Sequence, residues 1–194
     1  RRNSQACHSF GSCTDEACVV MPGSNKVYII GFMGSGKTTT GMKLALLLGW
    51  PFIDLDRSIE EVTGLTIPEI FSRHGEAWFR KVESETLEKL RSLTRGVIST
   101  GGGTPCYSEN MDYMLKTGLT IYLKLTPVQL KSRLSRSKSE RPLIKNLDDE
   151  ALLSFIEENL TIREKWYNRA ELNFNGFDTD VRLIYSQVIA SLNI

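Results

Sequence analysis

From Lys26 to the end of the chain, short apolar runs alternate with longer amphipathic stretches. Val27 to Ile30 is an unbroken β-branched and aromatic run, the mark of a strand buried on both faces. Thr38 to Leu48 has helical spacing, with Leu44, Leu47 and Leu48 on one side, and stops at Gly49. Pro51 to Asp54 predicts a second strand and Glu76 to Leu93 a long charged amphipathic helix. Gly96 to Thr100 predicts a third strand and Leu119 to Leu125 a fourth. Thr126 is a natural N-cap for a helix over Pro127 to Arg136. Another long helix is expected over Asp148 to Arg169, a weak fifth strand over Leu172 to Asn175, and a closing helix over Val181 to Leu192. This βαβα order predicts an α/β fold: one parallel sheet covered by helices on both faces. The apolar strand at Val97 to Ser99 runs into three glycines, so a site is expected at its carboxyl end.

Residues 1–25 lack this periodicity and carry little apolar content. They are expected to be a disordered leader or an extension, with Met21 a natural start. The remainder, 26–194, is expected to be one domain. The chain has 194 residues, enough for one full core. With 24 Lys+Arg against 23 Asp+Glu, its net charge of +1 excludes a strongly basic nucleic-acid binder. The longest apolar runs, such as Leu44 to Leu48, are too short to cross a bilayer. Three of the four cysteines, Cys7, Cys13 and Cys18, fall in the leader, and Cys106 lies far from them. Such clustering does not suit a disulfide framework and fits a reducing, cytoplasmic setting. With His8 they match no common zinc spacing.

Gly31-Phe-Met-Gly-Ser-Gly-Lys-Thr38 matches G-x-x-x-x-G-K-[ST] between a predicted strand and a predicted helix. Gly34 and Gly36 allow a tight turn whose N–H groups face phosphates. The helix that follows presents its positive end to them. Lys37 reaches the β and γ phosphates, and the Thr38 hydroxyl can ligate Mg²⁺. This pattern says nucleoside triphosphate and magnesium, without naming the reaction.

The acceptor side is written in four fragments. Asp54 and Asp56 are two apart after the second strand, so in strand geometry both carboxylates face the loop. One can hold Mg²⁺ and the other can accept a hydrogen bond from an attacking hydroxyl; the plain alternative is a pair of helix-capping aspartates. Arg80 and Glu83 are three apart on a helix and can pair, fixing a guanidinium for a carboxylate. Gly101, Gly102 and Gly103 strip a strand end of side chains and expose N–H groups. Between Arg133 and Lys145, a Ser-rich basic stretch holds Arg133, Arg136, Lys138 and Arg141. It reads as a mobile flap over phosphates; for Arg133, Lys138 and Lys145 a solvated surface is the better reading. Arg163 can bring a second guanidinium.

Together GFMGSGKTT, FIDLDRSIEE, GEAWFRKVESE, ISTGGG, ERPLI and REKWYNRAE resemble the shikimate kinase family, in its order and across essentially the whole folded part. The resemblance implies a P-loop, nucleoside-monophosphate-kinase-like three-layer fold. Its five-stranded parallel sheet would have order 2-3-1-4-5, with a substrate-binding helical region near 55–95 and a lid near 133–147. It implies ATP and shikimate as substrates, Mg²⁺ as cofactor, and a monomer. Lys37, Asp56 and Arg141 would be catalytic. Asp56 would bind the ring hydroxyls and orient the 3-hydroxyl. Arg80 and Arg163 would hold the carboxylate, and Gly101, Gly102 and Gly103 would supply backbone N–H groups. The nucleotide would meet Gly34, Ser35, Gly36, Lys37, Thr38 and Thr39. Arg141 would reach the transferring phosphate and Arg136, in preference to Arg133, the adenine. Thr38 and Asp54 would hold the metal. A kinase for another small acid such as gluconate, a catalytically silent binding module and a GTPase switch are the competing readings. The silent module should have lost a key residue, and the switch leaves two acceptor-site arginines unexplained.

Overall fold

A computed structural model describes residues 25–136, 144, 147–178 and 180–194. Five parallel strands form one sheet: β1 (Asn25–Ile30), β2 (Phe52–Asp54), β3 (Arg95–Ser99), β4 (Leu119–Lys124) and β5 (Leu172–Asn175), in the order β2-β3-β1-β4-β5. This is the expected order. β1 is central, Val27 standing level with Val97 on one side and Leu119 on the other.

Among the described residues, seven helices cover the sheet: α1 (Lys37–Leu48), α2 (Leu55–Thr63), α3 (Ile67–Lys89), α4 (Asn110–Thr117), α5 (Pro127–Ser135), α6 (Asp149–Tyr167) and α7 (Val181–Leu192). Alternation along the central strands sends side chains into two cores. Val27, Ile29, Val97 and Ile121 pack with Leu44 of α1 and Ile184 and Val188 of α7. Tyr28, Ile30, Ile98 and Tyr122 pack on the opposite face with residues of α2 to α6, among them Ile59, Phe79, Met114, Leu130 and Ile156. No helix among the described residues is long and apolar enough to cross a membrane.

The helical region between β2 and β3 is larger than periodicity indicates. Two helices, α2 and α3, fill it, with α3 starting nine residues before the expected Glu76. Gly64 is the left-handed C-cap of α2. Pro68 sits in the first turn of α3, whose capping box joins Thr66 and Glu69. Gly75 breaks α3 internally, at φ 77° and ψ 175°. A further helix, α4, escapes the pattern because it is only eight residues long; it buries Met111 and Met114.

The connection leaving β1 runs to one edge of the sheet, and the one leaving β3 runs the other way. Such a reversal opens a crevice at the strands' carboxyl ends. Residues 1–24, with Cys7, His8, Cys13, Cys18 and Met21, lie outside the described residues, as do Lys138, Arg141 and Lys145, while Asn25, expected in the leader, opens β1.

Candidate active site

A cavity of about 480 Å³ occupies that crevice. It is lined by Gly34, Gly36, Lys37, Thr38, Thr39, Asp54, Asp56, Arg80, Gly101, Gly102, Gly103 and Arg163. Of the candidate site residues that the structure describes, all but Ser35 and Arg136 therefore meet in one place.

The phosphate loop joins β1 to α1. Gly36 is the helix N-cap at φ 95°, a left-handed conformation that favours glycine. The Lys37 ammonium is turned back onto the loop, donating to the carbonyls of Gly31 at 2.9 Å and Phe32 at 3.0 Å. Ser35 is buried and does not line the cavity; its Oγ has no hydrogen-bond partner among the described residues. The Thr38 hydroxyl donates to Asp54 Oδ2 at 2.9 Å and lies 3.3 Å from Ser99 Oγ. These are hard oxygen donors at the mouth of a phosphate loop, a set that fits Mg²⁺.

The two aspartates reach the cavity for a different reason from the expected one. β2 ends at Asp54, which caps α2 by accepting from the Arg57 backbone N–H. Asp56 is in the first turn of that helix, so strand alternation does not orient it. Its open surface faces the cavity. Burial, then the charges of Glu83 and Asp54, push its carboxyl up to about 6, while Lys37 and Arg80 pull it down.

Arg80 is held on several sides. Its NH1 donates to Glu83 Oε2 at 2.8 Å, and its Nε and NH2 donate to Glu76 Oε1 at 3.2 and 3.0 Å. Glu83 is fully buried and also accepts from Thr104 Oγ1 at 2.6 Å. Arg163 is 9% exposed, donates to Asn159 Oδ1 at 3.2 Å, and stands 5.4 Å from the Phe32 ring centroid.

The glycines make room for these charges. A Cβ on Gly101 would lie 2.9 Å from Glu83 Oε1 and 3.0 Å from Asp56 Oδ1. One on Gly102 would lie 3.1 Å from the Met33 nitrogen, and one on Gly103 only 2.6 Å from both terminal nitrogens of Arg80. The Tyr167 hydroxyl of α6 donates to the Gly102 carbonyl and ties this turn to the helix carrying Arg163.

Of the three arginines in the basic stretch, the two that are described, Arg133 and Arg136, exchange places relative to expectation. Arg133 faces inward from α5: it lines the cavity and donates to the Ser35 carbonyl at 3.0 Å and the Gly176 carbonyl at 2.9 Å. Its guanidinium stands 5.3 Å from the Phe177 ring centroid. Arg136 is an exposed C-cap outside the cavity. Helical phase explains the swap: Arg133 follows Leu130 by three residues, and Leu130 and Leu134 are the buried positions of α5.

An apolar wall of Met33, Ile67, Phe71 and Phe79 was not legible as part of the site. Three of the four lie on α3, where Phe71 and Phe79 pack at 4.8 Å. Such residues look like ordinary core positions until the fold places them beside Arg80.

Comparison with known proteins agrees with this geometry. The family model described as "Shikimate kinase" matches residues 33–193. The shikimate kinase of Bacteroides thetaiotaomicron is 40% identical over 157 residues, which cover 81% of this chain and 90% of that relative. A crystal structure of shikimate kinase from the same organism superposes with a TM-score of 0.81 at 36% identity, covering 88% of this chain and 99% of that one. Shikimate kinase from Acinetobacter baumannii, solved in complex with shikimate, gives a TM-score of 0.76 at 32% identity, covering 91% and 97%. By sequence and by structure alike, the chain belongs to the shikimate kinase family.

Proposed function

We propose that this chain transfers the γ-phosphoryl group of ATP to the 3-hydroxyl of shikimate. Family membership makes it an ATP-dependent kinase with an alcohol acceptor. The observation that supports the acceptor is the pairing of two guanidinium groups, Arg80 and Arg163, with Asp56 in the cavity that holds the phosphate loop. Two fixed cations suit an organic acid, and a carboxylate beside them suits a hydroxyl.

Phosphoryl transfer needs positioning and charge neutralisation more than covalent help. Loop N–H groups and the α1 terminus cradle the phosphates. Lys37 leaves the Gly31 and Phe32 carbonyls and turns to the β and γ phosphates. Thr38 and Asp54 would hold Mg²⁺, which neutralises phosphate charge when bound. Arg80 and Arg163 anchor the acceptor's carboxylate, and the Gly101 to Gly103 turn presents backbone N–H groups. Asp56 accepts a hydrogen bond from the reacting hydroxyl and aims its oxygen at the γ-phosphorus. Met33, Ile67, Phe71 and Phe79 pack on the carbon ring and keep water away.

The regiochemistry is tested by identifying the product with ³¹P NMR after incubation with Mg-ATP and shikimate. One new phosphomonoester coupled to the C3 ring proton is expected. Phosphate on another hydroxyl, or free phosphate alone, would contradict the reading.

A further inference from the structure

We infer that Tyr107 is a positioning residue for acceptor recognition: its ring face holds the Arg80 guanidinium in the plane that receives a carboxylate. The inference rests on the reading of Arg80 as the acceptor's anchor. Tyr107 itself does not line the cavity. Its ring centroid is 4.1 Å from Arg80 Cζ, closer than that of Phe79 at 5.0 Å. Its hydroxyl donates at 3.0 Å to Glu76 Oε1, the same oxygen that accepts from Arg80 Nε and NH2. One residue thus braces the guanidinium both directly and through the carboxylate that grips its edge.

The loop that carries Tyr107 is built to hold it there. The next residue, Ser108, has φ 52°, a left-handed conformation uncommon outside glycine. Ser84 Oγ donates to the Arg80 carbonyl at 3.0 Å and lies 3.3 Å from Ser108 Oγ, whose hydroxyl can donate to it. Tyr107 and Arg80 are therefore tied to the same turn of α3.

An aromatic face suits this position for an electrostatic reason. Glu76 and Glu83 already set two negative charges against one guanidinium. A third carboxylate as a brace would repel the acceptor's own. A ring face attracts the cation without adding net charge, and it removes the rotational freedom that a long arginine otherwise keeps.

The test measures steady-state kinetics with shikimate and with its neutral methyl ester. Tyr107→Leu keeps apolar bulk but loses the π face and the hydroxyl; Tyr107→Phe restores the face alone. Tyr107→Leu should raise the shikimate KM about tenfold, with kcat and the Mg-ATP KM within about twofold of the parent. Tyr107→Phe should recover most of that loss. Turnover of the ester should be equally slow in all three proteins, since it offers no carboxylate. An unchanged shikimate KM, an equal change for acid and ester, or a Phe variant as impaired as the Leu variant would overturn the inference. If Tyr107→Leu does not fold, the acid-to-ester comparison in Tyr107→Phe decides, with a small rise in KM expected for the acid only. Absence of shikimate turnover in the parent protein would remove the acceptor reading itself, and this inference with it.

Discussion

Glu83 is the most committed carboxylate of the site, fully buried with Arg80 and Thr104 as its donors. Arg80→Ala would remove the acceptor's anchor and also leave a buried charge short of a partner. A loss of about 2–5 kcal/mol in acceptor binding is expected, roughly thirty-fold or more in KM. A lower Tm should accompany it. An unchanged acceptor KM would take Arg80 out of the site. Lys37→Ala should abolish turnover while circular dichroism and Tm stay near the parent values, because the helix cap at Gly36 is untouched. Asp56 gives a pH signature. Its carboxyl pKa is raised to about 6, so the folded chain favours the protonated form. The stability that ionisation withholds at neutral pH returns as pH falls through about 6 toward 3.8. Asp56→Asn should therefore raise Tm at neutral pH, with the gain fading in acid. In the parent, kcat/KM for the acceptor should rise with pH through about 6, and the Asn variant should lack that rise. A flat parent profile would separate Asp56 from the reacting hydroxyl.

The element that matters most for the acceptor is α3, and its shape hangs on Gly75. At φ 77° and ψ 175° this residue separates the half that carries Phe71 from the half that carries Arg80 and Glu83. A Cβ there would meet nothing within 4 Å, so Gly75→Ala acts through backbone conformation alone. A loss of roughly 1 kcal/mol or more is expected, read as a lower Tm with weakened acceptor binding. Gly103→Ala differs in cause: its methyl would strike the Arg80 guanidinium at 2.6 Å. It should raise the acceptor KM with less effect on the Mg-ATP KM; equal effects on both would place the clash elsewhere. Legibility divides along the same line. The phosphate loop could be read because its glycines, lysine and threonine are contiguous and do one local task. The α3 wall could not, because Ile67, Phe71 and Phe79 carry no chemistry of their own. A charge run carries no helical phase and so does not point Arg133 inward; the buried Leu130 and Leu134 set that phase. Strand alternation does not orient Asp56; the turn into α2 does.

At the scale of the molecule, continuous apolar strands and their alternation with helices made the parallel sheet readable. The order β2-β3-β1-β4-β5 came from the family resemblance, since periodicity alone does not rank strands. That order makes the site: it sets the ends of β1 and β3 side by side, so the phosphate loop and the triple glycine share one cavity. On this reading a single crevice holds a nucleotide and an organic acid at once. The most direct test is ADP release with Mg-ATP and shikimate, run beside gluconate and a control without acceptor. Release that depends on shikimate, with gluconate no better than the control, is the predicted result. Release driven by gluconate, or none with either acid, would contradict it.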